Sequence, residues 1–295
     1  MYVSSETSAP GASEAFSQSS VPCGVERLIG ADRVEDTDLL AAESPLEIRL
    51  GYSTPLGREQ RSLSVTMRTP GHDVELAVGF LFTEGMLSAP EQVRYAAHYG
   101  PPVDSSGLRN IVQVELEPGV DIDLARVQRN FYTTSSCGVC GKASLDALKL
   151  QTRFPIRAAT LSIARDTLFA LPEHLRARQR VFGATGGLHA AALFDAGGTI
   201  VDLREDVGRH NALDKLIGAR FLAGALPLDG LGILVSGRAS FELMQKAVMA
   251  GAPMLAAVSA PSSLAVEIAL ELGVTLVGFL RDGRCNVYAG GAHVT

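Results

Sequence analysis

The chain lacks the features that would place it in a membrane or on nucleic acid. No apolar run among its 295 residues approaches the roughly 20 that a transmembrane helix needs. Basic residues do not outnumber acidic ones, with 26 Lys and Arg against 32 Asp and Glu, so non-specific nucleic-acid binding is not indicated. Residues 1–20 carry no basic side chain and no apolar core, unlike a signal or transit peptide. These absences predict a cytoplasmic protein with neither a nucleic-acid nor a membrane partner.

Cysteine is also scarce, with four residues in the whole chain: Cys23, Cys137, Cys140 and Cys285. Without a secretory leader, these thiols are expected to be reduced rather than paired in disulfides. Cys137 and Cys140 form an isolated CxxC motif in the run SSCGVCGK. Two thiols at this spacing can act as a redox pair, as half of a metal site or as a sulfur carrier.

The surroundings of the CxxC motif favour reactive thiols over a metal site. Lys142 opens a predicted helix, so the thiols lie just before its positive end, which stabilises thiolates. A structural zinc site needs four ligands, and the chain has no second cysteine pair, so no metal is predicted. A thioredoxin-like motif would directly follow the first strand of a βαβ unit, whereas this one follows Asn130–Thr134 in an α+β region, which weakens the redox interpretation.

The first half of the chain has the pattern of an α+β domain. We expect a disordered tail over residues 1–22, then a domain over 23–152 that includes the CxxC loop at 131–141. Alternating apolar and polar residues predict a hairpin, and an apolar spacing after Thr69-Pro70-Gly71 predicts a helix to about Gly85. The predicted strands are Pro45–Tyr52, Arg61–Thr69, Val93–Tyr99 and Ile111–Leu116.

The second half, residues 153–295, alternates apolar strands with helices of about a dozen residues. This alternation is typical of an α/β domain whose sheet is covered on both faces. The predicted strands are Leu188–Phe194, Thr199–Leu203, Gly232–Ser236, Met254–Val258, Thr275–Leu280 and Asn286–Ala289. The predicted helices are Ser162–Arg180, Gly208–Ala223, Ala239–Ala250 and Ser262–Leu272.

Three strand ends in this half have the residues of an anion site. In open α/β sheets, ligands bind at the carboxyl ends of strands, where helix starts supply free N–H groups. The first end carries Ser236, Gly237 and Arg238, the second carries Ser259 to Ser263, and the third carries Phe279, Leu280, Arg281, Asp282, Gly283 and Arg284. Each junction alone is also explained by helix capping, but the three arginines together indicate a ligand that bears phosphate.

Two histidine-containing segments leave their roles open. In Thr185–Ala191 a glycine pair precedes a strand, and His189 there is either a site residue or part of a pocket wall. In Glu205–Lys215, Asp206 is a candidate helix cap, Arg209 a candidate partner of Glu205, and His210 either a ligand contact or a structural residue. Cys285 beside Arg284 has no predicted role.

Taken in order, the runs SSCGVCGK, TGGLHAAAL, EDVGRHNALDKLIG, SGRASFELMQKA and LVGFLRDGR resemble the formate dehydrogenase accessory sulfurtransferase family, FdhD. The resemblance covers about Arg49 to the end of the chain. It implies that a cysteine desulfurase loads Cys137 as a persulfide, with Cys140 as its partner. The sulfur then goes to the molybdenum of a bis(molybdopterin guanine dinucleotide) before insertion into apo formate dehydrogenase. The same resemblance places the guanine nucleotide end of this cofactor on Phe279 to Arg284 and implies a homodimer.

The family resemblance also implies a C-terminal domain similar to the cytidine deaminase three-layer fold, with a mixed sheet. Deaminases need a His or Cys with a Glu at one helix start and a Pro-Cys-x-x-Cys at the next. Here Ser236-Gly237-Arg238 and Pro261 to Ala265 stand at those places, so deamination is not expected.

Three functions therefore remain open on the sequence. The chain is a sulfurtransferase acting as a persulfide carrier, a CxxC dithiol oxidoreductase, or a cofactor-binding chaperone without sulfur chemistry. The first predicts sulfane sulfur on Cys137 or Cys140, the second a reversible disulfide with turnover, and the third tolerance to the loss of both thiols.

Overall fold

The computed structural model describes residues 18–103, 105, 107–122, 148 and 152–295. The CxxC loop at 131–141, the helix predicted after Lys142 and most of the predicted tail lie outside the described residues. At the end of that predicted tail, a strand begins at Ser20. None of the described helices is long and apolar enough to cross a membrane.

In the first half of the chain, the predicted hairpin, helix and strand pair are confirmed. The elements are β1 (Ser20–Ile29), β2 (Asp32–Ala41), β3 (Ser44–Thr54), β4 (Gly57–Arg68), α1 (Asp73–Thr83), β5 (Val93–His98) and β6 (Ile111–Leu116). The hairpin of β1 and β2 is an addition that the sequence patterns did not predict. Apart from β1 and β2, these strands form a sheet of order β4-β3-β6-β5, in which β3 and β6 run parallel.

In the second half, the predicted alternation of strands and helices is confirmed, with the first helix divided in two at Gln179. The helices are α2 (Arg165–Arg178), α3 (Arg180–Thr185), α4 (Arg209–Leu222), α5 (Phe241–Met249) and α6 (Ser263–Leu272). The strands are β7 (His189–Phe194), β8 (Ile200–Asp206), β9 (Gly232–Val235), β10 (Met254–Ala257), β11 (Thr275–Arg281) and β12 (Arg284–Ala289).

The strands of this half form one six-stranded mixed sheet of order β12-β11-β10-β9-β7-β8. β9, β10 and β11 are parallel to one another, whereas β7 runs antiparallel beside β9 and β12 antiparallel beside β11. The predicted α/β class with a mixed sheet covered by helices is therefore confirmed. The likeness to cytidine deaminases and the division between residues 152 and 153 stay predictions.

Strand alternation explains how both faces of this sheet are covered. In β9, Ile233 and Val235 point into the core formed with α4, α5 and α6, while Leu234 points into the core on the opposite side, formed with α2. All three side chains are fully or almost fully buried. A strand that is buried on both faces has no side chains in contact with solvent. These segments are therefore continuously apolar.

The two halves of the chain share a hydrophobic core through a close crossing of α1 and α4. A Cβ built on Gly79 would lie 1.9 Å from the carbonyl oxygen of Asp214, and one built on Gly218 would lie 1.9 Å from that of Glu75. Only glycine allows the two backbones to approach this closely. Next to the crossing, the rings of Phe82 and Phe221 pack at a tilt of 39° with centroids 5.0 Å apart.

Two buried lysines of the second half, each paired with an aspartate there, also hydrogen-bond to the first half. Lys246 on α5 lies 2.9 Å from the carboxylate of Asp214 and donates a 2.9 Å hydrogen bond to Thr83 at the end of α1. Lys215 lies 2.7 Å from Asp206 and donates to the carbonyl of Thr69. Removing one member of a buried pair leaves an uncompensated charge, so these contacts fix how α1 sits on the larger sheet.

Candidate functional site

The carboxyl ends of the three parallel strands lie side by side, as predicted. The amide of Ser259, just after β10, donates a 3.3 Å hydrogen bond to the carbonyl of Gly237, just after β9. The amide of Phe279 in β11 donates a 3.0 Å bond to the carbonyl of Ser259. The predicted segments 236–238 and 279–284 therefore flank Ser259 at one edge of the sheet, and we call this edge the strand-end edge.

The segment 279–284 contains the end of β11, the two-residue turn Asp282-Gly283 and the start of β12. Phe279 has a φ of 53° and Asp282 a φ of 54°, a left-handed conformation that is costly for residues other than glycine. The pairing of β11 with β12 shifts register between Gly278 and Arg281, so the strand is irregular where the left-handed Phe279 lies. Backbone strain of this kind persists only where the surrounding structure holds it, and it is common at ligand sites.

The arginines predicted to hold phosphate are exposed on this edge. Arg238, Arg281 and Arg284 are all accessible to solvent. Arg281 lies 4.0 Å from the carboxylate of Asp282, and an exposed pair at this distance contributes little to stability. At the neighbouring junction, the hydroxyl of Ser262 accepts a bond from the amide of Ala265, so this serine caps α6. The arginines can therefore turn toward a ligand without breaking a buried contact.

His189 faces the same edge because β7 runs antiparallel to β9, which brings the start of one strand beside the end of the other. Its Nδ1 lies 3.4 Å from the hydroxyl oxygen of Ser236, which accepts a 2.9 Å bond from the amide of Ala190. Burial lowers the pKa of His189, and the nearby Arg209 guanidinium lowers it further. The imidazole is therefore mostly neutral at pH 7 and suited to hydrogen bonding rather than to ion pairing.

His210 is a second neutral imidazole at this edge. Burial lowers its pKa to about 4, with further repulsion from Arg209 and Lys246. Its Nε2 lies 3.4 Å from the hydroxyl of Ser240, before α5. Arg209 opens α4, and its Nε is buried without a hydrogen-bond partner among the described residues. The sequence left the roles of both histidines open. The structure places both of them near the guanidinium group of Arg209 at the strand-end edge.

The acidic residues that precede α4 build the edge and do not line it. Asp206 is completely buried and accepts from the amides of Thr69 and Gly208 in addition to its pairing with Lys215. Glu205 accepts from the amides of Val181 and Phe182, at the start of α3. The capping role predicted for Asp206 is wrong, because Gly208 is the N-cap of α4 and no side chain caps it. The Asp206 carboxylate instead ties the end of β4 to β8 and α4.

A cleft of ≈ 520 Å³ opens beside Ser236 and His189, between the strand-end edge and helices α2 and α3. The glycine pair Gly186-Gly187 lines it. No close approach requires Gly186, since a Cβ there would meet nothing within 4 Å; it ends α3 with a left-handed φ of 68°. Gln179 and Phe182 also line it, and the sequence analysis did not select them. A glutamine between two helices belongs to no motif, so only the folded structure brings it to the site.

The cysteines within the described residues are Cys23 and Cys285. Both are free thiols, and burial raises the pKa of Cys285, which makes it a weaker nucleophile. Within the described ranges, no three His, Cys, Asp or Glu side chains come together as a metal site would require.

Together, the fold and the strand-end edge define a mixed α/β protein whose exposed arginines and helix starts suit a polyanionic ligand. The chain belongs to the FdhD/NarQ family, whose model matches residues 41–295. The match leaves out only the tail and most of the β1–β2 hairpin.

Curated relatives from several organisms agree with this membership. The chain is 55% identical over 255 residues to the sulfur carrier protein FdhD of Streptomyces avermitilis, covering 86% of this chain and 88% of the relative. It is 50% identical over 274 residues to the protein of the same name in Mycobacterium tuberculosis, covering 91% and 96%. It is 42% identical over 260 residues to that of Sulfurisphaera tokodaii, covering 87% and 91%.

A crystal structure shows the same fold. It is that of a provisionally assigned formate dehydrogenase accessory protein from Desulfotalea psychrophila, with a TM-score of 0.68 at 22% sequence identity. The alignment covers 94% of this chain and 99% of that one. At this identity the likeness supports the arrangement of strands and helices rather than the chemistry.

Proposed function

We propose that this protein is the sulfur carrier required for formate dehydrogenase activity. The observation that carries the proposal is the family match, which spans residues 41–295 and contains the CxxC motif at Cys137 and Cys140. Relatives with this match bear the name sulfur carrier protein. The protein takes sulfane sulfur from a cysteine desulfurase and delivers it to the molybdenum of bis(molybdopterin guanine dinucleotide), which is its substrate.

In the loading step the thiolate of Cys137 attacks the outer sulfur of a persulfide on the desulfurase. A new S–S bond forms on Cys137 as the donor's S–S bond breaks, and the donor cysteine leaves as a thiolate. In delivery the thiolate of Cys140 attacks the inner sulfur of the Cys137 persulfide. The Cys137–Cys140 disulfide forms as the persulfide S–S bond breaks, and the outer sulfur leaves as hydrosulfide toward the substrate. The thiol pair supplies the two electrons, and a cellular dithiol then reduces the disulfide.

The strand-end edge suits the phosphate groups of this substrate. Arg281 and Arg284 carry exposed guanidinium groups next to the left-handed turn, and Ser236, Gly237 and Arg238 offer further donors before α5. The residues assigned to the nucleotide end are Phe279, Leu280, Arg281, Asp282, Gly283 and Arg284. Leu280 is completely buried, so it anchors the turn while its neighbours contact the ligand.

The partners follow from this role. Sulfur comes from a cysteine desulfurase, and the sulfurated substrate passes to apo formate dehydrogenase. We further propose that the protein acts in the cytoplasm, and that it is a homodimer, as the family resemblance implies.

Mass spectrometry of the protein after incubation with a desulfurase and cysteine tests the proposal. We expect a gain of one sulfur atom on the Cys137–Cys140 peptide, removable by a reductant. A reversible disulfide that turns over a disulfide substrate, with no sulfur gain, would instead indicate an oxidoreductase. Full activation of formate dehydrogenase by a variant lacking both thiols would indicate a chaperone without sulfur chemistry.

A further inference from the structure

The hairpin of β1 and β2, which we call the arm, presents a row of apolar side chains on one of its faces. Val21 lies opposite Leu40 and Arg27 lies opposite Val34, and alternate residues of a strand share a face. The apolar members of this face, which we call the arm stripe, are Val21, Leu40, Cys23, Val25, Val34 and Ile29. Four of them, Val21, Ile29, Val34 and Leu40, are 47–62% exposed. A continuous exposed apolar surface of this kind indicates a contact site.

The length of the arm also calls for a partner. Each of its strands has ten residues and therefore spans roughly 33 Å. Its root is fixed to the body of the protein, because the amide of Ala42 donates to the carbonyl of Ser19 and the Ser19 hydroxyl donates to that of Pro70. Beyond the root most of its side chains are exposed, and an isolated two-stranded hairpin is at best marginally stable in water. A surface that covers the stripe would stabilise the arm.

A second exposed apolar surface lies on the four-stranded sheet of the same chain. Val65 and Met67 on β4, Tyr95 on β5 and Tyr99 just after it lie on one face of this sheet by their register. Ile48 and the other core residues of the sheet point to the opposite face. The four exposed side chains, which we call the outer patch, are 47–66% exposed. Tyrosine and methionine are enriched where proteins contact one another.

The arm and this sheet have charges of opposite sign. The arm has five acidic and two basic side chains, a net charge of −3. Both basic side chains, Arg27 and Arg33, already pair with carboxylates of the arm at 3.2 Å. Strands β3 to β6 have five arginines and three glutamates, and the net charge is +1 when Arg68, buried against Asp73, is left out. Opposite charges of this kind guide two surfaces toward each other.

A second copy of the chain is the partner that this arrangement favours. The stripe and the patch are both exposed in one chain, so the arm does not lie on the patch of its own copy. The arm and the patch meet the same end of the sheet, since β2 leads into β3 after two residues and Met67 pairs with Pro45 at the start of β3. A two-fold axis beside this end brings each arm to the other copy's patch.

We propose that the protein dimerises by exchanging arms, with the arm stripe of each copy seated on the outer patch of the other. Ten residues of each arm lie on the stripe face, and a similar number of sheet residues share the face of the patch. Reciprocal exchange therefore brings roughly 20 residues of each copy into contact, as a standard interface of about 20–30 residues a side requires. The proposal rests on the homodimer of the proposed function and assigns its surfaces. The family match begins at residue 41 and so leaves the arm out, apart from its last residue.

Cysteine cross-linking tests the contact, because Cys23 is a natural thiol on the stripe. In the full chain with Cys137→Ser and Cys140→Ser, adding Val65→Cys and a short bis-maleimide should give a covalent dimer on a denaturing gel. Adding Cys23→Ser should abolish that dimer. Leu56→Cys, at the 95% exposed tip between β3 and β4 and outside the patch, is the matched control and should give none. The absence of a Cys23-dependent dimer from Val65→Cys would overturn the proposal.

Sedimentation equilibrium measures the same contact without a cross-linker. Val34→Asp places a carboxylate within the stripe and should raise the dissociation constant of the dimer at least about tenfold, because the charge must be buried against apolar side chains. Leu28→Asp, on the opposite face of the arm and 64% exposed, should leave the dissociation constant unchanged. Circular dichroism should be natural for both variants, since both positions are exposed in a single chain. Equal dissociation constants for the two variants would place the dimer contact elsewhere and reject arm exchange.

Two further readouts separate arm exchange from the sulfur-carrier role and from another occupant of the stripe. Natural persulfide loading on Cys137 in a protein that forms no dimer would reject arm exchange alone. A Cys23-dependent dimer without loading in the natural protein would keep arm exchange and reject the sulfur-carrier role. A monomeric natural protein whose binding to a cysteine desulfurase is weakened by Val34→Asp and not by Leu28→Asp would assign the stripe to the desulfurase and overturn the proposal.

Discussion

Gly79 on α1 and Gly218 on α4 face each other across the contact between the two halves of the chain. A Cβ on Gly79 would lie 2.9 Å from the backbone nitrogen of Gly218, and a Cβ on Gly218 would lie 2.8 Å from that of Gly79. Each glycine therefore makes room for the other's backbone. The relation is reciprocal, so both positions must stay small for the helices to touch.

Gly79→Ala should destabilise the protein by about 1–3 kcal/mol, because the new methyl group would push the two helices apart. Chemical denaturation followed by circular dichroism measures the change. The control is Gly183→Ala on α3, where a Cβ would meet nothing within 4 Å. There the lost backbone freedom of the unfolded chain should stabilise by about 0.4–1 kcal/mol. Equal effects at the two positions would show that the close crossing is not what Gly79 provides.

Arg281→Ala combined with Arg284→Ala should reduce affinity for guanosine diphosphate by about two orders of magnitude, since each charge-assisted contact contributes about 1.5–3 kcal/mol. Persulfide loading on Cys137 should be unaffected, so the variant accumulates sulfur that it cannot deliver. Calorimetry and mass spectrometry give the two readouts. Arg27→Ala with Arg33→Ala, on the exposed β1–β2 hairpin, is the matched double control. Loss of loading together with binding would remove the phosphate role from Arg281 and Arg284.

Cys137→Ala should abolish activation of formate dehydrogenase in a strain that lacks the natural protein, because no persulfide can form on an alanine. The melting temperature should not change, as the CxxC loop is predicted to lie outside the core. Cys23→Ala removes a free thiol on β1 and should leave activation intact. Activation by Cys137→Ala at the natural level would take Cys137 out of the mechanism.

His210 should make stability depend on pH between about 6.5 and 4. Its pKa in the folded protein is about 4, whereas an unperturbed histidine has a pKa of about 6.5. As the pH falls through this window the unfolded chain takes up a proton that the folded chain does not, so stability decreases. His210→Gln should flatten that slope, measured as the free energy of unfolding in urea at several pH values. Parallel slopes for the two proteins in this window would contradict the burial of a neutral imidazole.

The sequence predicted the larger sheet well because its strands are apolar on both faces and are separated by amphipathic helices. The hairpin of β1 and β2 escaped prediction for the opposite reason. Most of its side chains are exposed on both faces, as at Val21, Leu28 and Val34, so it lacks the buried apolar face that marks the other strands. Its plainest signal is Gly30, whose φ of 62° places it in the turn between the strands.

The site was predictable only where a motif marked it. Ser236, Arg238 and Arg281 follow apolar strands, and general rules of α/β folds place such residues at one edge. Gln179 and Arg209 follow no such rule, because their importance comes from a missing hydrogen-bond partner that appears only after folding. His189 reaches the edge because β7 runs antiparallel to β9, and strand direction is not visible in the sequence of a single strand.

The hydrogen bonds that join Gly237, Ser259 and Phe279 have a consequence for how such proteins diversify. Because main-chain atoms make these bonds, they do not depend on which side chains the connecting segments carry. One segment can change its residues while its neighbours keep their positions. A substitution in one segment can thus change what that part of the edge contacts without rebuilding the sheet beneath.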